Sequence, residues 1–166
     1  MKVTFSLALF LTIGLLLAGC AHNNKMDFYD KTNSSNLSEE NIQEISLGFP
    51  EQKLLETFGT PKEVETVDNP PSRHFIYENI EFQLEEGSIS GYILTHERYA
   101  TARNVTIGDT KEDVIETYGK NYYERSDTGA TVIGYFDKRR NQNIEFAYDE
   151  EVLEGIMVST IKSGAQ

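Results

Sequence analysis

The chain has 166 residues, a formal charge of −12, a single cysteine and no tryptophan. That length allows one medium domain or two small ones. Such acidity excludes nucleic acid as a partner, because its phosphates are bound through basic patches that release counterions. It also excludes electrostatic adhesion to an anionic membrane surface.

Residues 1–20 differ from everything that follows. Lys2 supplies a short positive start, Phe5 to Leu17 is almost uninterrupted apolar sequence, and Leu17-Ala18-Gly19-Cys20 ends the run on small residues. This is the layout of a secretory signal peptide. The apolar run is shorter than the roughly 20 residues that span a bilayer comfortably. Leu17, Ala18, Gly19 and Cys20 match, position by position, the bacterial lipobox that they resemble. The resemblance implies cleavage after Gly19, diacylglycerol on the Cys20 sulfur, and anchoring to the extracytoplasmic face of a membrane by that lipid. Two or three acyl chains, each adding about 0.8 kcal/mol per buried CH₂, anchor stably. With Cys20 used in this way the mature chain has no disulfide and carries a charge of −13.

Residues 20–37 are polar and rich in Asn and Ser, with few apolar side chains. That composition predicts a flexible tether holding the folded part a few nanometres from the membrane. Ser38 to Ile45 is expected to form an entry helix capped by Asn36 or Ser38.

The remainder repeats itself. Ile45-Ser46-Leu47-Gly48 recurs as Val105-Thr106-Ile107-Gly108, and Leu54 to Gly59 recurs as Val114 to Gly119, both at an offset of 60. Ile80-Glu81-Phe82 recurs as Ile144-Glu145-Phe146, and Gly91 to Thr95 as Gly155 to Ser159, both at an offset of 64. Four ordered blocks with one consistent indel indicate a duplication, with units at 38–99 and 100–162. In each unit a short helix comes first. Pro50 suits a first helical turn, Asp109 to Glu112 reads as a capping box, and Leu54, Leu55 and Phe58 share one helical face, as do Val114, Ile115 and Tyr118. Gly59 and Gly119 end the helices. Strands follow at His74–Tyr77, Ile80–Leu84 and Ile89–Thr95, and again at Thr131–Phe136, Asn143–Tyr148 and Val152–Thr160. Ile80, Phe82 and Leu84 alternate with Glu81 and Gln83, as one buried and one wet face require.

A Gly, a pair of apolar residues, an aromatic residue and a second Gly, followed by a meander, occur at Gly48 to Pro61 and at Gly108 to Gly119. The pattern is similar to small bacterial lipoproteins with the fold of the β-lactamase inhibitory protein and of the BamE outer-membrane assembly component. It also resembles secreted lipoproteins of spore-forming Gram-positive bacteria that carry the repeat. The resemblance implies helices on one face of an antiparallel sheet, with the other face free to dock a protein.

Catalytic patterns are absent from the sequence. His22, His74 and His96 lack zinc-ligand spacing, Cys20 is consumed, and there is no Gly-x-Ser-x-Gly elbow or phosphate loop. Glu81 and Glu145 are equivalent in the repeat and are the carboxylates most open to an acid/base reading. The fold expected is therefore α+β: two tandem repeats, each a short helix or helical pair on an antiparallel meander. The expected role is non-catalytic binding of another cell-envelope protein, without metal or cofactor, through an open sheet face that displays Tyr77, Glu81, Gln83, Tyr92, Tyr135 and Glu145. A cell-wall hydrolase with carboxylates between the repeats, and a small-ligand carrier, are the alternatives.

Overall fold

The computed structural model describes residues 24–127 and 129–161; the expected signal peptide, Gly19, Cys20 and His22 lie outside them. In chain order the elements are α1 (Glu51–Phe58), β1 (Glu63–Asp68), β2 (Pro71–Ile76), β3 (Ile80–Glu85), β4 (Ser88–Leu94), α2 (Lys111–Tyr118), β5 (Tyr123–Asp127), β6 (Ala130–Asp137), β7 (Gln142–Asp149) and β8 (Val152–Thr160). All eight strands form one antiparallel sheet in the order β1-β2-β3-β4-β8-β7-β6-β5. The fold is α+β, as expected: a helix and a four-stranded meander, twice over, joined edge to edge through β4 and β8. Among the described residues no helix is long and apolar enough to cross a membrane.

The halves are locked in the same way. Gly48 N–H donates to Ile89 O (2.7 Å) and Ile89 N–H to Phe49 O (2.9 Å), while Gly108 N–H donates to Leu153 O (2.8 Å) and Leu153 N–H to Asp109 O (3.1 Å). Each bond pair clips the residues before a helix onto the start of the last strand of its meander. Both Gly48 and Gly108 have positive φ, at 84° and 97°, a conformation that a residue with a Cβ rarely adopts. The cap of α2 is shifted by one residue from the expected box: Thr110 is the N-cap, and it exchanges bonds with Asp113. Pro50 sits one residue earlier than expected, as the N-cap of α1.

One apolar cluster joins both halves on the helix side of the sheet, including Leu54, Val114, Phe82, Tyr92, Tyr135, Phe146 and Ile156. Two tyrosines in this layer hold the helix ends. Tyr77 Oη donates to Gly59 O and Tyr135 Oη to Gly119 O, both at 2.9 Å. Each carbonyl belongs to the C-cap residue, and helix C-termini leave such groups without an intrahelical partner. Tyr135→Phe should cost about 1 kcal/mol in urea unfolding, the net value of one buried hydrogen bond. Tyr77→Phe should cost less, because that hydroxyl is exposed to water.

Two expectations for the chain before α1 are corrected. Residues 38–45 are not helical, because Gln43 and Glu44 both take positive φ (50° and 69°) and close a two-residue reverse turn between Ile42 and Ile45. Leu37, Ile42 and Ile45 are still buried, so the segment caps the core without being helical. Within the expected tether, residues 24–37 pack on the fold. Lys25–Phe28 form a single 3₁₀ turn, Tyr29 packs edge-on against Phe136 at 5.1 Å, and Thr32 and Leu37 are buried. Its few apolar side chains, Met26, Phe28 and Tyr29, are enough because they meet a ready aromatic surface.

Glu40 in this entry segment is 5% exposed and accepts from Tyr118 Oη at 2.8 Å. Burial pushes its carboxyl pKa above the usual range, against the opposing pull of the Tyr118 hydroxyl and Arg103. A carboxyl whose folded pKa is raised weakens the fold wherever it is ionised. Glu40→Gln, which keeps an acceptor for Tyr118, should therefore raise the urea midpoint at neutral pH. The gain should shrink as pH falls through the folded pKa and vanish below the ordinary Glu value of about 4.3.

Candidate functional site

The sheet face opposite the helices carries two rows of side chains, read off the strand register. One runs Glu63, Ile76, Glu81, Ile93, Met157, Glu145, Gly134, Tyr123, and the other runs Glu65, His74, Gln83, Gly91, Ser159, Asn143, Phe136. The two ends of this face differ sharply. Over β5–β7 it is covered by the segment from Asn24 to Tyr29, and over β1–β4 it is bare.

On the covered side the sequence builds a sealed polar cluster. Tyr123 lies across Gly134, where a side chain would collide with the ring, and stacks on Phe136 (4.6 Å) and Phe28 (5.4 Å). Its hydroxyl donates to Glu145 Oε1 at 2.8 Å and accepts from Asn143 Nδ2 at 3.0 Å. Arg125 Nε donates to the same Glu145 oxygen at 2.8 Å, and its Nη1 donates to Asp127 at 2.8 Å. Lys25 reaches in from above, donating to Ser159 Oγ (3.0 Å) and Asn143 Oδ1 (3.2 Å) and lying 3.9 Å from Glu145 Oε2. Burial lowers the Lys25 pKa, the Glu145 charge opposing it, and burial raises that of Tyr123.

On the bare side the row runs Glu63, Ile76, Glu81, Ile93, Met157, ending in two adjacent apolar side chains. A cleft of about 200 Å³ opens between the halves, lined by His74, Glu81, Gln83, Gly91, Ile93 and Met157, with Lys25 and Glu145 on its far wall. Gly91 leaves its floor as bare backbone: a Cβ there would stand 3.1 Å from Val158 O. His74 Nδ1 and Glu81 Oε1 are 2.6 Å apart.

The structure corrects half of the expected binding face. Glu81 and Gln83 are on the open face. Tyr92 (3% exposed) and Tyr135 (0%) are core residues on the helix side, opposite Phe82 and Ile144, and Tyr77 packs there on Phe58. Glu145 points to the open side but is buried under Lys25 and Arg125. Sequence reasoning missed Lys25, Tyr123, Arg125, Asn143 and Ser159. A cluster of Met26, Phe28 and Tyr29 inside a polar run was the available signal.

This geometry does not support a paired-carboxylate hydrolase. Glu81 and Glu145 are separated by Ile93 and Met157, three strand spacings or roughly 14 Å. Acid/base pairs in glycoside hydrolysis stand about 5–9.5 Å apart. Each carboxylate also leans away from the other, onto His74 and Arg125 respectively. Ser72 Oγ is 3.4 Å from His74 Nε2, the order of a nucleophile–base–acid relay. Ser72, however, lines a different hollow, with Thr66, Pro71, Arg73 and Gly87, so nucleophile and base share no chamber. Among the described residues no three His, Cys, Asp or Glu converge as metal ligands.

No protein-family model matches the chain. No curated protein matches it at a significant level. Among solved structures it is similar to an extracellular protein containing an SCP domain from Bacillus anthracis str. Ames, with a TM-score of 0.54 at 13% identity over 78% of this chain. This chain spans 49% of that protein's length, so the likeness is one of fold over about half of it. A protein from Streptococcus mutans described as a candidate beta-lactamase inhibitor aligns over 83% of this chain and 96% of its own, at 14% identity and a TM-score of 0.32. That score does not establish a common fold.

Proposed function

We propose that this chain is an extracytoplasmic lipoprotein, cleaved after Gly19 and acylated on Cys20, whose two units (38–99 and 100–162) form a non-catalytic module that binds another cell-envelope protein. The observation that carries the reading is the asymmetry of the open face. The chain's own N-terminal segment covers it over β5–β7. Over β1–β4 it presents Ile76 and Ile93, with Met157 beside them on β8, between polar groups and around an open cleft instead of a closed chamber. Apolar side chains rimmed by polar ones on an exposed face mark a protein contact. A small-ligand carrier is less well supported, because this cleft falls below the roughly 300–1,000 Å³ of ligand pockets and is open and partly polar.

The packed N-terminal segment also supports a membrane-proximal partner. Three residues separate Cys20 from Asn24, four Cα steps with a reach of at most about 14 Å. The module is thus held close against the lipid surface, and its partner is membrane-proximal. The test is a photo-crosslinking residue at Ile93 in the full chain expressed in cells, with exposed Glu116 on α2 as the control position. Ile93 should yield a discrete protein adduct that Glu116 does not, and it should be lost when Cys20→Ser releases the chain from the membrane. Equal labelling from both positions overturns the reading.

A further inference from the structure

The two halves show what the bare face is built to receive, because one already holds an occupant. On the covered half, Glu145 meets Lys25 and Arg125, and Tyr123 and Phe136 receive Phe28 and Tyr29. The register gives the equivalent positions on the bare half. Glu81 stands for Glu145, since both lie between the second and fourth strands of their meanders. Ile76 stands for Gly134, Glu63 for Tyr123 and Glu65 for Arg125. Where the covered half presents an aromatic ring and a guanidinium, the bare half therefore presents two further carboxylates. Among the strand residues of β1–β4 the basic side chains are Arg73 and His74. Arg73 reaches to Glu51 of α1 on the helix side, which leaves His74 alone on the open face. Glu63 and Glu65 belong to a strand exposed at every position, so their charges are uncovered.

Resting on the reading above, we propose that the face of β1–β4 docks an extended segment of the partner protein that carries at least two lysines or arginines, in the place that residues 25–29 take on the other half. One basic side chain enters the cleft beside Glu81. A second lies over Glu63 and Glu65, while the apolar parts of the segment rest on Ile76 and Ile93. Charge complementarity disfavours an acidic or neutral occupant: it would leave Glu63 and Glu65 partly desolvated without a counterion and Glu81 with His74 alone. A basic guanidinium or ammonium there makes a charge-assisted bond of the kind that Arg125 makes to Glu145, with Lys25 adding its charge at 3.9 Å.

The test uses the full chain in lipid nanodiscs, with isoleucine and methionine methyl groups labelled for NMR, and a ten-residue peptide of alternating lysine and valine as probe. The Ile76, Ile93 and Met157 signals should shift on titration, and a glutamate–valine peptide should not shift them. A Glu63→Gln/Glu65→Gln/Glu81→Gln variant should bind the lysine peptide at least tenfold more weakly. The Glu63→Gln/Glu65→Gln pair alone, which leaves the His74–Glu81 contact in place, should lose at least threefold. A Glu56→Gln/Glu112→Gln/Glu116→Gln variant, equal in charge but altered on the helix side, should stay within twofold of wild type. Equal losses in the two triple variants, or unshifted Ile93 and Met157 methyls, overturn the proposal. If the Ile93 crosslink captures a segment without basic residues, the docking face stands and this inference falls. If Ile93 captures nothing, both fall.

Discussion

Gly134→Ala should destabilise the fold by about 1–3 kcal/mol, an overpacking cost from a single added methyl group. An ideal Cβ on Gly134 stands 2.4 Å from Cζ and Oη of Tyr123 and 2.7 Å from its Cε1. The ring cannot simply slide away. It is stacked at 19° on both Phe136 and Phe28, and its hydroxyl is held by Glu145 and Asn143. The position itself tolerates alanine, since its φ is not among the positive values. Glycine inside a strand costs roughly 0.5–1 kcal/mol relative to alanine. In a Tyr123→Leu background the same substitution should therefore be neutral or mildly stabilising. A urea series on the four members of the cycle reads this directly. Additive costs would show that the ring does not lie over Gly134. The effect reaches the candidate site, because a displaced Tyr123 removes the platform for Phe28. Protease cleavage within residues 24–37 should accelerate in the alanine variant.

The parts legible in the sequence were those written as spacing. The duplicated glycines and apolar pairs placed both helices, and the alternation around Glu81 placed β3 and gave its open face correctly. The tyrosines were misplaced for a physical reason. In β6, Val132, Ile133, Gly134, Tyr135 and Phe136 are all buried, because helices cover one side and the N-terminal segment covers the other. A strand buried on both faces loses the period-two signal that assigns inside and outside. β1 was missed for the opposite reason, since all six of its residues are exposed. The Asn24–Leu37 segment was read from its polar composition. Its placement depends on Met26, Phe28 and Tyr29 finding Tyr123 and Phe136, far away in the chain. Composition cannot show a contact of that range, and the asymmetry of the open face depends on it.

Arg125→Met should cost about 3–5 kcal/mol, the loss expected when one partner of a buried ion pair is removed. The Arg125 side chain is 8% exposed and that of Glu145 is 5% exposed, so the carboxylate left behind has little access to water. Lys25, at 3.9 Å, is a poor substitute, since it is already shared with Ser159 and Asn143. Adding Glu145→Gln should recover at least half of the loss. Glutamine removes the unpaired charge and keeps an oxygen to accept from Tyr123. Thermal or urea unfolding of the two variants separates these outcomes. A cost below about 1 kcal/mol for Arg125→Met would mean that water reaches Glu145. The N-terminal segment would then not seal the second half, and the two halves would offer one continuous face. In that case the partner would meet Glu81 and Glu145 alike, and the distinction between an occupied and a vacant half would lose its basis. A cost in the expected range, with rescue by Glu145→Gln, leaves the first half as the part of the sheet that is open to a partner.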